Sequence, residues 1–188
     1  MVITETPQQK LVYIANQLGL KSLAGMQGTT RAIYDTIDQP ATGPSTLTFF
    51  DNVGQRSAPL TNLPDNQFQV GEALAIEAIQ IGFANGEAVN FQALSVSGPI
   101  VLSVRVGNQT IIKKVPFGAA FKNATGVNNA TTTGIAPAKV WLNVPLVIPP
   151  QVRFTAELEN VPSTVQADPR IFCAFYGTGV LLNLKQSL

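Results

Sequence analysis

Glu157 and Glu159 are the residues of this chain best spaced for chemistry. They lie two apart in an alternating run, and on a strand they would share one face at about 6.5–7 Å. Glycosidases use two carboxyl groups roughly 5–9.5 Å apart, so the spacing permits acid–base chemistry on a sugar. The plainer reading is a solvated or subunit-facing strand side, because Ala156 and Leu158 alternate with them. Glu72 and Glu77 are the other acidic candidates. Glu77 stands inside an apolar run, where a buried carboxylate needs a partner; Arg105 and Lys113 are candidates for that role.

The remaining catalytic inventory is thin. The sequence contains no histidine, which removes the commonest general base and metal ligand together. Cys173 is the one cysteine and sits in the apolar run Ile171-Phe172-Cys173-Ala174-Phe175-Tyr176, which predicts a buried, inert thiol and excludes an intramolecular disulfide. Neither GxxxxGK[ST] nor GxGxxG occurs. Asp51-Asn52 and Asp65-Asn66 read as turns rather than calcium ligands. The Asn-x-Thr triplets at Asn108, Asn123 and Asn129 read as chance. No catalytic residue, metal site or cofactor is expected. Trp141 and Tyr176 are candidate platforms for a sugar ring.

The chain has 188 residues, of which 45% are hydrophobic and 12% charged. That charged fraction is about half the usual ~25%, which points to a surface partly covered by other subunits. Net charge is +1 and no Lys/Arg run occurs, so direct nucleic-acid binding is not expected. No apolar run reaches the ~18 residues of a membrane-spanning helix, and the first ten residues carry no secretion-signal pattern.

The elements that must position these side chains are strands. Residues 139–160 are organised as two alternating runs about Pro149-Pro150, a strand end or a crossing between sheets. Val140, Leu142, Val144, Leu146 and Ile148 form one apolar set; Val152, Phe154, Ala156 and Leu158 form the next. Residues 100–106 and 110–115, with Gly107-Asn108 between them, read as a hairpin. Further strands are expected at 45–50, 89–96, and 170–184 with a bulge or kink at Gly177-Thr178-Gly179. Residues 68–84 suit a helix by composition, but Gly71 and Gly82 favour a strand whose apolar face switches through a bulge or two-sided burial. Residues 118–137 read as a contact-making loop.

Residues 1–44 read as an N-terminal arm and 45–188 as the β-body. Thr6, Pro7 and Gln9 form a helix start, Leu11, Ile14, Ala15 and Leu18 an apolar stripe, and Gly19 a stop. That stripe needs a partner, either its own body or a neighbouring subunit. Residues 31–37 are ambiguous between a short helix and an extended segment. The fold class is all-β: a single jelly-roll β-sandwich of about eight antiparallel strands, with an N-terminal arm containing a short helix.

With its arm, β-only body, the stretch WLNVPLVIPPQVRFTAELEN and the closing FCAFYGTGVLLNLK, the chain resembles the jelly-roll structural (capsid) proteins of viruses, in particular of bacteriophages. The resemblance implies a non-enzymatic virion subunit, assembled in the host cytoplasm as a shell, vertex or decoration protein. Its implied partners are copies of itself, as trimers or pentamers, and other virion proteins. Candidate inter-subunit contacts are Leu11, Ile14 and Leu18 in the arm, Phe121 in the long loop, and Trp141. The basic internal arm of some small icosahedral capsids is missing. The alternative reading is a carbohydrate- or receptor-binding β-sandwich module.

Overall fold

The computed structural model describes residues 6–38, 45–83, 100–116, 138–161 and 170–182. Within them lie one helix, α1 (Pro7–Gln17), and eight strands. These are β1 (Gln27–Asp38), β2 (Ser45–Phe49), β3 (Glu72–Phe83), β4 (Val101–Val106), β5 (Gln109–Pro116), β6 (Ala138–Ile148), β7 (Phe154–Val161) and β8 (Arg170–Leu181). A 3-10 turn, Val53–Gln55, follows β2.

The pairing is nested. β4 pairs with β5, β3 with β6, β2 with β7 and β1 with β8, all antiparallel. The chain is thus one long hairpin with its tip at the Gly107 turn, where φ is 58°. The hairpin rolls up so that β8 also pairs with β3 and β7 with β4. Two four-stranded sheets result, in the orders β1-β8-β3-β6 and β2-β7-β4-β5. This is the jelly roll expected from the strand count. Pro149 and Pro150 make a corner at which the chain leaves β6 in one sheet and enters β7 in the other.

Between the sheets lies a core centred on Phe49, Phe50, Phe68, Phe154 and Phe175. Phe50 lies 4.7 Å from Phe175 and 5.4 Å from Phe154, ring centre to ring centre, and Phe68 stacks on Phe154 at 5.4 Å. β7 follows the expected alternation, with Phe154, Ala156 and Leu158 inward and Glu157 and Glu159 outward. β6 departs from it. Ile148 is buried and Val140, Leu142 and Leu146 pack against the core, but Val144 is 64% exposed. The cause is a register jump: Ile76 faces Leu146 while Ala78 faces Trp141, so residues 142–145 stand opposite Glu77 alone and the strict alternation is lost.

β3 is a strand, and both of the expected devices occur in it. Leu74, Ile76, Ile79 and Ile81 enter the main core, while Ala73 and Ala75 are buried on the opposite face. A bulge at Glu77, shared by both of its pairings, makes the switch. Gly177 of β8 lies against that bulge; a Cβ there would sit 1.8 Å from the Ala75 carbonyl oxygen. Of the bulge or kink expected at 177–179, the β3–β8 pairing has a bulge opposite Gly177, and β8 itself runs through as continuous strand.

The expected arm over residues 1–44 divides in two. Gln27–Asp38 is β1, paired along its length with β8, and so belongs to the sandwich. The helix docks on the outer face of its own sheet. Thr6 and Gln9 form the capping box, and Gly19 ends the helix at φ 72°. Ile14 is 1% exposed in a second cluster with Ala73, Ala75 and Val180, flanked by Leu11, Leu18 and Val147. The Tyr13 hydroxyl donates to the Pro145 carbonyl at 3.1 Å, and Lys10 Nζ pairs with Glu77 Oε2 at 2.7 Å. The strand expected at 89–96 and the loop at 118–137, with Phe121, lie outside the described residues.

Replacing Ile14 with Ala should lower unfolding stability by about 2–3 kcal/mol, in the lower part of the range for buried aliphatic truncation. Because the contact lies within one chain, denaturant unfolding should show the same loss at every protein concentration.

Candidate functional site

Each acidic candidate from the sequence has a partner. Glu157 faces Arg105 of the neighbouring β4 at 3.9 Å, and Glu159 reaches Lys114 of β5, two strands away, at 3.0 Å, on the outer face of the β2-β7-β4-β5 sheet. Cross-strand ion pairs on an open sheet face hold the two carboxylates in place rather than leaving them converged on a cleft. Glu72 pairs with Arg31 at 3.1 Å. Glu77 is held by Lys10 and by the Thr178 hydroxyl, which donates at 2.8 Å. The partners considered for Glu77 from sequence, Arg105 and Lys113, are not the ones it uses. Among the described residues, no three His, Cys, Asp or Glu side chains converge to hold a metal ion.

One carboxylate that sequence reasoning passed over is fully buried. Asp35, on β1, is 0% exposed. The Phe50 amide donates to its Oδ2 at 2.6 Å, and Arg56 Nη1 pairs with the same oxygen. Burial raises its pKa above the ordinary 3.8, against the opposing pull of the Phe50 amide and the Arg56 charge. Opposite it on β8 sits Cys173, whose thiol is raised well above 9.0 by its own burial and then by the Asp35 charge. Cys173 is the inert thiol expected. Asp35 joins elements rather than facing a cavity: β1 to the end of β2 through Phe50, and to the following connection through Arg56.

That connection closes one side of the sandwich. The Asn62 side chain accepts from the Tyr34 amide and donates to the Ala32 carbonyl, both at 2.9 Å. The Thr61 hydroxyl donates to the Tyr34 carbonyl, and Thr61 forms a bridge with Asp35. The outer edge of β1 is therefore covered by its own chain, one of the ways proteins protect a sheet edge.

On the opposite side the edge strands are β5 and β6. A groove of about 650 Å³ runs between them and the C-terminal half of α1. Val106, Ile112, Leu142 and Leu146, which pack against the core, line it together with Ile111 and Val144. Six large apolar side chains stand exposed among the described residues, and four of them, Ile111, Val115, Trp141 and Val144, belong to β5 and β6. Among the described residues, exposed large apolar side chains are thus concentrated on these two strands.

Of the candidate contacts read from sequence, Leu11, Ile14 and Leu18 lie against the chain's own sheet. Trp141 is 67% exposed on the outer face of β6. It faces Ala78 of β3, which in turn faces Tyr176 of β8, so three strands bring the two aromatic candidates together. Lys139 Nζ lies between them, 4.4 Å from the Trp141 ring and 4.5 Å from the Tyr176 ring. The groove itself carried no sequence signal, since it depends on which strands become edges.

Comparison with models of known protein families and with curated proteins finds no match to this chain.

The Asp35 environment sets a pH dependence of known sign. A carboxyl whose native pKa is raised binds its proton more tightly folded than unfolded, so its contribution to stability falls as pH rises. Wild-type stability relative to Asp35→Asn should decline from pH 3.8 up through the raised native value and then level off. Urea unfolding at a series of pH values checks this; a difference that grows with pH over that window would mean a depressed carboxyl.

Proposed function

We propose that this chain is a non-enzymatic structural subunit of a virus particle, in particular a bacteriophage capsid protein that assembles with copies of itself. The observation that carries the reading is the β5–β6 side of a single jelly roll, where four large apolar side chains stand exposed among the described residues. A sandwich that covers one edge with its own connection and leaves apolar side chains along the other has the surface of a subunit. The low charged fraction of 12% fits the same reading. So do the acidic side chains, all of those on the described sheet faces discussed above being engaged in ion pairs. In this reading the protein acts in the virion as a shell, vertex or decoration subunit, beside other virion proteins.

The purified full chain should form a discrete oligomer, a trimer, pentamer or larger closed particle, by native mass spectrometry and negative-stain electron microscopy. A monodisperse monomer at the highest soluble concentration would overturn the reading.

A second reading, a carbohydrate-binding module, draws on the Trp141–Lys139–Tyr176 row. Trp141 is the only tryptophan, so its fluorescence reports on that row directly. Under this reading, neutral and acidic oligosaccharides should give a saturable change; under the structural one, none is expected.

A further inference from the structure

We propose that the β5–β6 groove seats a second copy of this chain, and that this contact, not the α1 stripe, holds the assembly together. The inference rests on the self-assembly reading above and names the surface that carries it. The apolar stripe of α1 is occupied within the chain: Ile14 is 1% exposed and packs on Ala73, Ala75 and Val180. The polar tie of α1 is also internal, from Lys10 to Glu77. What α1 leaves outward is a single exposed apolar side chain, Val12.

Charge decides the occupant of the groove. None of its lining side chains is an Asp, Glu, Lys, Arg or His. A partner segment bearing Asp, Glu, Lys or Arg would have to leave that charge desolvated and unpaired there. The fitting partner is therefore an uncharged apolar ridge on a strand edge. This chain presents one itself, in Ile111 of β5 and Val144 of β6, 47% and 64% exposed. Ridge and groove share one face, so the contact can be reciprocal, with each copy's ridge entering the other's groove. Two of the three lysines on β5 and β6 are engaged within the chain, Lys113 being the third. Lys114 is paired with Glu159, and Lys139 is held between Trp141 and Tyr176.

Three full-length variants test the proposal. Val144→Asp places a charge on the ridge at an exposed position, so the fold should survive, as circular dichroism would show. Its self-association should weaken on the order of tenfold or more, the effect of a central interface residue. Val144→Cys supplies a thiol in a chain whose only natural thiol, Cys173, is buried. It should react with a maleimide in dilute, dissociated protein and be protected in the assembled state, while Val12→Cys reacts in both. Four results would overturn the proposal: unchanged assembly of Val144→Asp, equal labelling of Val144→Cys in both states, protection of Val12→Cys in its place, or a Val144→Cys thiol unreactive even when dilute, which would mean that the groove is filled within one chain. If wild-type protein assembles and any of these four results is seen, the self-assembly reading stands and only this surface is wrong. A wild-type chain that never associates removes both.

Discussion

A single buried carboxylate closes one side of this sandwich. Asp35 lies on an inward position of β1 and receives the Phe50 amide and the Arg56 guanidinium. Phe50 is itself a core residue, its ring packed on Phe154 and Phe175 while its amide reaches across to the other sheet. The connection after β2 is thereby drawn along the edge of β1, where Thr61 and Asn62 satisfy its backbone groups. A buried ion pair is weak evidence for net stability, because desolvation offsets the attraction. Its clearer effect here is geometric: it fixes where a long polar connection lies, and so which edge is covered.

A second constraint follows from β3, which is buried on both faces. One bulge at Glu77 lets Leu74 and Ile76 enter the core from one register and Ile79 and Ile81 from the next. The outward Ala73 and Ala75 then need a cover, and the small side chains let α1 approach closely enough to supply it. The same register shift leaves residues 142–145 of β6 opposite Glu77 alone, with Val144 exposed among them. The helix is thus used within the chain, and the same irregularity builds the ridge beside the groove. In the proposed assembly, both effects leave β5 and β6 as the contact surface.

Much of this was legible in the sequence, where local patterns decide. The alternation on both sides of Pro149-Pro150, the Gly107-Asn108 hairpin, the Thr6–Gln9 capping box and the two-sided run before Phe83 each name their own element. β1 was legible only as an ambiguity between a short helix and an extended segment over residues 31–37, because Asp35 occupies a core position between Ile33 and Ile37 and breaks the apolar alternation that marks a half-buried strand. The partners of Glu77 were hidden for another reason: Lys10 and Thr178 are far away in sequence and meet it only through the nested pairing. The adjacency of Trp141 and Tyr176 through Ala78 has the same origin. The order of strands within a sheet is a property of the whole roll, and so is the identity of the open edges.

The account makes the β5–β6 side the contact between subunits and α1 part of each subunit's own body. Amide hydrogen exchange on the full-length protein, compared between assembled and diluted states, separates these roles most directly. Amides of β5 and β6 should lose protection on dilution, while those of α1 and β1 keep theirs. Loss of protection in α1 on dilution, with β5 and β6 unchanged, would contradict the account.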